Sequence, residues 1–112
     1  MFFIGKFHTQ LVRAGRPVVK AADQGDVAAA IEAARNLAVV ARDLESQALR
    51  KSQTALIGGN DQLYAEMAEV AAMWGDAGRQ IATSADYDEP NNVQLYLSGV
   101  NELRQIMMGG PV

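Results

Sequence analysis

Apolar residues recur at alternating steps of four and three along most of this chain. The clearest run is Leu63, Met67, Val70, Trp74, Ala77 and Ile81, spaced 4-3-4-3-4. Positions three and four apart stack one above another on an α-helix, so all six share one stripe. A helix with such a stripe must bury it against a neighbour. Ala30, Ala34, Leu37, Ala41, Leu44 and Ala48 repeat the same spacing. Phe3, Phe7, Leu11, Ala14 and Val18 form a third run, and Val93, Tyr96 or Leu97, Val100, Leu103 and Met107 a fourth. Runs of β-branched residues bounded by turns are absent, so no strand is expected.

The breaks between runs carry turn chemistry. In Asp23-Gln24-Gly25-Asp26, Gly25 can end a helix in the left-handed conformation and Asp26 can cap the next one. Gly58-Gly59-Asn60-Asp61 repeats that logic, and the Gly58–Gly59 pair is expected to include a positive φ. Asp86 to Asn92 is acidic and turn-rich, with Pro90 suited to a first helical turn and Asp88 or Glu89 to its cap. The expected helices cover about Phe3–Ala22, Val27–Ala55, Asn60–Ala85 and Asn91–Met108. Gly15 and Pro17 should kink the first, or split it at Pro17.

Short connections make successive helices antiparallel. The expected fold is therefore all-α: an antiparallel up-down-up-down four-helix bundle in a single domain, residues 1–112. A three-helix bundle with a separately docked N-terminal helix is the alternative. Gly25-Asp26 before an Ala-rich helix resembles the turn and second helix of a tetratricopeptide unit, and Gly59-Asn60 follows at that repeat's period of 34. That repeat uses two short helices, whereas Val27–Ala55 reads as one rod, so no array is expected. Trp74 should sit mid-core against Met67, Val70 and Ile81 of its own helix and Leu37 or Leu44 of the second.

Composition removes several functions. The chain has no cysteine, which excludes disulfides and thiolate metal sites. No apolar run approaches the ~18 residues of a membrane span, and the N-terminus lacks the pattern of a secretory signal. A cytoplasmic protein is expected. Basic residues are too few for a nucleic-acid footprint at net charge −3. His8 is the sole histidine and is expected at the core edge. With one histidine, the paired Glu-x-x-His motifs of di-iron bundles cannot form. Glu66 and Glu69 flank the third helix's stripe as a solvated face, and Asp86, Asp88 and Glu89 lack the spacing of a calcium loop. No metal, cofactor or catalytic residue is expected.

Charge is distributed unevenly. Residues 1–22 hold Lys6, Arg13, Arg16 and Lys20 and no acid, while the remainder carries −7. At ~100° per residue the four bases fall within ~80° of one another, opposite Phe3, Phe7, Leu11 and Val18.

The expected function is that of a non-enzymatic helical interaction protein: an adaptor, chaperone or regulatory subunit whose partner is another protein or, as a homodimer, itself. Phe2, on the basic side of the first helix, Phe3, and Leu95, off the centre of its stripe, would form the partner surface with Lys6, Arg13, Arg16 and Lys20. Two alternatives stand beside it. The basic first helix could lie on a membrane surface. Or the bundle could hold a cofactor between His8 and Met107 or Met108.

Overall fold

The computed structural model describes residues 2–54 and 60–109, with side chains from Gly5 onward. Four helices follow one another: α1 (Phe2–Asp23), α2 (Val27–Thr54), α3 (Asn60–Thr83) and α4 (Asn91–Met107), with one 3₁₀ turn at Ser84–Asp86. α1 packs on α2, α2 on α3, α3 on α4, and α4 returns to α1. This is the ring of a four-helix bundle. The described residues span 51 × 24 × 22 Å.

The first turn forms by the chemistry of its residues. Gly25 adopts φ 73°. Its N–H donates to the Ala22 carbonyl at 3.1 Å, and the Asp26 N–H donates to Ala21 at 2.9 Å, the two bonds of a Schellman motif. The Asp26 carboxylate then accepts from the Ala29 N–H at 3.0 Å and caps α2. The Gly58–Gly59 turn lies outside the described residues.

α2 is the spine. Its buried residues are Ala30, Ala34, Leu37, Ala41, Leu44 and Ala48, the six of its stripe. The face of α3 against it is made of small residues. A Cβ added at Gly75 would lie 3.3 Å from the Ala41 Cβ, and one at Gly78 only 3.1 Å from the Ala34 carbonyl oxygen. Small residues on both sides let the two axes approach closely.

Three expectations are corrected. α1 is a single helix from Phe2 to Asp23 with Pro17 inside it, so it does not split at Pro17. Pro17 and Arg13 are both exposed, so the carbonyl that loses its amide partner lies on the solvated side of the helix. Gly15 is buried for packing: a Cβ there would come within 2.7 Å of the Trp74 ring. Pro90 stands at the N-cap of α4, ahead of the first turn. No side chain caps α4; Asp88 contributes its main-chain carbonyl, accepting from the Asn92 N–H at 3.2 Å. On α3, Met67, Trp74, Ala77 and Ile81 are buried, but Leu63 and Val70 are exposed. Ala68, Ala71, Gly75 and Gly78 complete the buried face instead.

Candidate interaction surface

Exposure of Leu63 and Val70 follows from where α4 ends. α3 has 24 residues and α4 has 17, so at ~1.5 Å per residue α4 is ~10 Å the shorter. Contacts fix its place. A Cβ at Gly99 would meet Ile81 Cγ1 at 2.7 Å, and the Gln80 side-chain amide donates to the Leu95 carbonyl at 3.0 Å. Near its end, the Met107 sulfur lies 3.5 Å from the position a Cβ on Gly15 would take, beside the Trp74 ring. α4 thus covers α3 from Ile81 up to the level of Trp74 and stops.

The stripe continues without its cover. Leu63, Val70 and Ala77 are one heptad apart, on a single line along α3. Ala77 lies under α4 and is fully buried; Val70 is 43% exposed and Leu63 40%. Met73, one turn before Ala77, is 41% exposed. The facing line of α1 repeats the pattern. Val19 lines a hollow with Met107, and Val12, a heptad earlier, is half-buried. Gly5, a further heptad back, opens on empty space. Met108, 86% exposed, projects from the end of α4. Among the described residues, no helix covers this seam, the stretch between α1 and α3 beyond the end of α4.

On α3, Glu66 lies one turn before Val70 and is exposed; Asp61, Glu69 and Asp76 are exposed on faces about 100° or more from the Leu63–Val70 line, and no Lys or Arg occurs between Lys51 and Arg79. Asp76 pairs with Arg79. Glu66 accepts from the Gln62 amide at 3.4 Å. Neither Glu66 nor Glu69 has a basic partner among the described residues.

The basic face of α1 adjoins the seam: Arg16 and Lys20 line the hollow that Val19 shares with Met107. Lys6, Arg13, Arg16 and Lys20 are all exposed, on the side opposite buried Phe7, Leu11, Ala14 and Val18. Among the described residues they enter no salt bridge. The side chains of Phe2 and Phe3 lie outside the described residues. Leu95 is half-buried and lines a hollow with Gln80, Tyr87 and Asn91, on the α3–α4 side. The structure does not join it to the α1 bases. Leu97 (58% exposed) and Met108 are the large apolar side chains α4 leaves most open.

His8 is exposed, not at the core edge. Met107 sits at Gly15, two turns further along α1, which is ~10 Å of helix rise. That separation does not place the two side chains opposite each other on one cofactor. No cluster of three His, Asp or Glu residues with metal-binding geometry exists among the described residues. Among the described residues, no helix is long and apolar enough to cross a membrane.

A cleft of about 440 Å³ opens at the other end of the bundle, between Val27 and Ile31 of α2 and Val93, Tyr96 and Leu97 of α4. The Asn92 side-chain oxygen there is buried without a donor. Burial holds the Tyr96 hydroxyl above the usual phenol range; Arg104 pulls it down, and Asp26 adds to the rise. Arg104 also pairs with Asp23, tying the end of α1 to α4.

No protein-family model, curated protein or solved structure matches the chain.

Sequence reasoning missed the Leu63–Val70–Met73 surface because periodicity reports which residues share a side and not what covers them. Helix length was the available signal. The breaks at Gly58–Gly59 and Pro90 already make the last helix several residues shorter than the third.

Proposed function

We propose that this chain is a non-enzymatic helical interaction protein, an adaptor, chaperone or regulatory subunit of the cytoplasm, that binds a protein partner through a helix face. The observation that carries this reading is the α3 stripe that outruns α4. Where α4 runs, Ala77 and Ile81 are buried; beyond it, Leu63 and Val70 stay open at 40–43% while Met67, turned toward the core, is buried, and Met73 to one side is 41% exposed. Apolar side chains on one continuous helix line, rimmed by charge, are what helix-in-groove recognition uses.

Affinity capture from the source cells tests it, with wild type beside a Leu63→Ser, Val70→Lys double variant. Both positions are exposed enough for the variant to keep its fold, which circular dichroism checks. Species recovered with wild type and lost with the variant support the reading. Identical recovery with both would refute it.

The basic ridge of α1 favours a second reading, adsorption on an anionic membrane surface. The apolar face that insertion needs is committed to the core at Phe7, Leu11, Ala14 and Val18. Such binding would therefore be electrostatic alone, at about 1 kcal/mol per base near the surface, and lost at high salt in vesicle co-sedimentation.

A further inference from the structure

We propose that the cleft between the starts of α2 and α4 binds a small molecule with an apolar body and a cationic amine head. This site is distinct from the Leu63–Val70 surface and lies at the opposite end of the bundle.

The walls set the body. Val27 and Ile31 of α2 line the cleft with Val93, Tyr96 and Leu97 of α4, and every residue that lines it is described. Val27, Val93 and Leu97 are exposed, so three of the large apolar side chains the bundle leaves open gather around one hollow. Its volume of about 440 Å³ falls within the ~300–1,000 Å³ of small-molecule pockets.

The polar groups set the head. No Lys or Arg lines the cleft. Arg104, the base that acts on the Tyr96 hydroxyl, is already paired with Asp23. Two carboxylates stand close instead. Glu89 is exposed in the wall and enters no salt bridge among the described residues. Asp26 adjoins Val27 and is near enough to act on Tyr96. The Ser84 hydroxyl is spent on the Ile81 carbonyl at 2.7 Å. Asn92 lines the same cleft, and its side-chain oxygen is buried with no donor. An anionic head would meet two like charges there. An ammonium meets two opposite charges and brings the N–H donors that an unfilled acceptor lacks.

Octylamine, octan-1-ol and octanoate test the proposal, since they share a chain and differ in the head. Each is titrated into the intact protein at neutral pH and followed by NMR through the methyl signals of Val27, Ile31, Val93 and Leu97. Octylamine, cationic at that pH, should bind about fivefold more tightly than octan-1-ol, the upper range of an exposed ion pair, and octanoate most weakly. Glu89→Gln should remove most of the preference for the amine while the same methyl signals still shift. Asp26→Asn, which keeps the α2 cap and loses the charge, should lower it as well. Leu97→Ser, at an exposed site, should weaken all three ligands. Octanoate binding as tightly as octylamine, no binding of any ligand, shifts spread away from the four residues, or a preference unmoved by both charge removals overturns the proposal. So does concentration dependence of those methyl signals without ligand, which would make a second copy the occupant.

Discussion

Gly5→Ala and Gly15→Ala put the same methyl group on the same helix and should shift stability in opposite directions. A glycine in an exposed helix costs up to ~1 kcal/mol relative to alanine, chiefly through backbone entropy. At Gly5 the added Cβ meets nothing within 4 Å. The full benefit remains, about 0.5–1 kcal/mol, reduced toward the lower figure by its place near the helix start. At Gly15 the same benefit applies, but the Cβ would sit 2.7 Å from Trp74 Cζ3 and 3.3 Å from Cε3. Real Cβ atoms do not come that close, so something must move.

Trp74 is 3% exposed and rigid, and Gly15 lies on a helix held along its length by α2. Met107, the third neighbour at 3.5 Å, can shift; the indole and the helix backbone cannot do so cheaply. Overpacking of this kind costs about 1–3 kcal/mol. Set against the propensity gain, Gly15→Ala should lose up to about 2 kcal/mol, and the two variants should differ by about 1–3. Urea unfolding followed by Trp74 emission measures this. With a slope of ~2 kcal/mol per molar, the midpoints should differ by about 0.5–1.5 M. Gly15→Ala as stable as Gly5→Ala would refute the close approach of α1 to Trp74, and with it the docking of α4 through Met107.

Trp74→Ala should cost about 3–5 kcal/mol in the same assay, a large share of a small domain's stability; near-wild-type unfolding would show that the core is built elsewhere. Asp26→Ala should cost about 1 kcal/mol through loss of the α2 cap, read as a lower urea midpoint, with Asp26→Ser largely restoring it. Tyr96 has its pKa raised in the fold by burial. Its contribution is therefore fully present below the unfolded value near 10 and is lost as pH rises from there through the folded value. Unfolding midpoints between pH 9 and 11.5 should fall more steeply for wild type than for Tyr96→Phe, and parallel curves would show that the hydroxyl is not desolvated.

What the sequence reveals of each helix depends on how fully its neighbours surround it. α2 is flanked by α1 and α3, and all six residues of its stripe are at most 1% exposed. Period and burial coincide there because an apolar position finds a partner at each turn. On α3 the large residues, Leu63 to Ile81, locate only one edge of the buried face. Its centre lies toward Ala71, Gly75 and Gly78, which carry little apolar weight in a pattern and are buried because α2 approaches them closely. A pattern read from large side chains is drawn toward positions where there is room for them, and the tightest contact is made where there is none.

The basic ridge of α1 was legible because charge repelled from a core needs no neighbour to define it. The seam was not, because it is a property of two helices and the end of a third. Val70 and Ala77 are indistinguishable by period: same line, one heptad apart. One is 43% exposed and the other fully buried. The difference between them is set by the level at which Met107 meets Gly15 and Trp74. That contact depends on Gly15 being glycine, since any side chain there would displace the Trp74 ring or the end of α4. The extent of the open surface on α3 thus follows from the length of α4, and the fit of its end against the core follows from a glycine on α1.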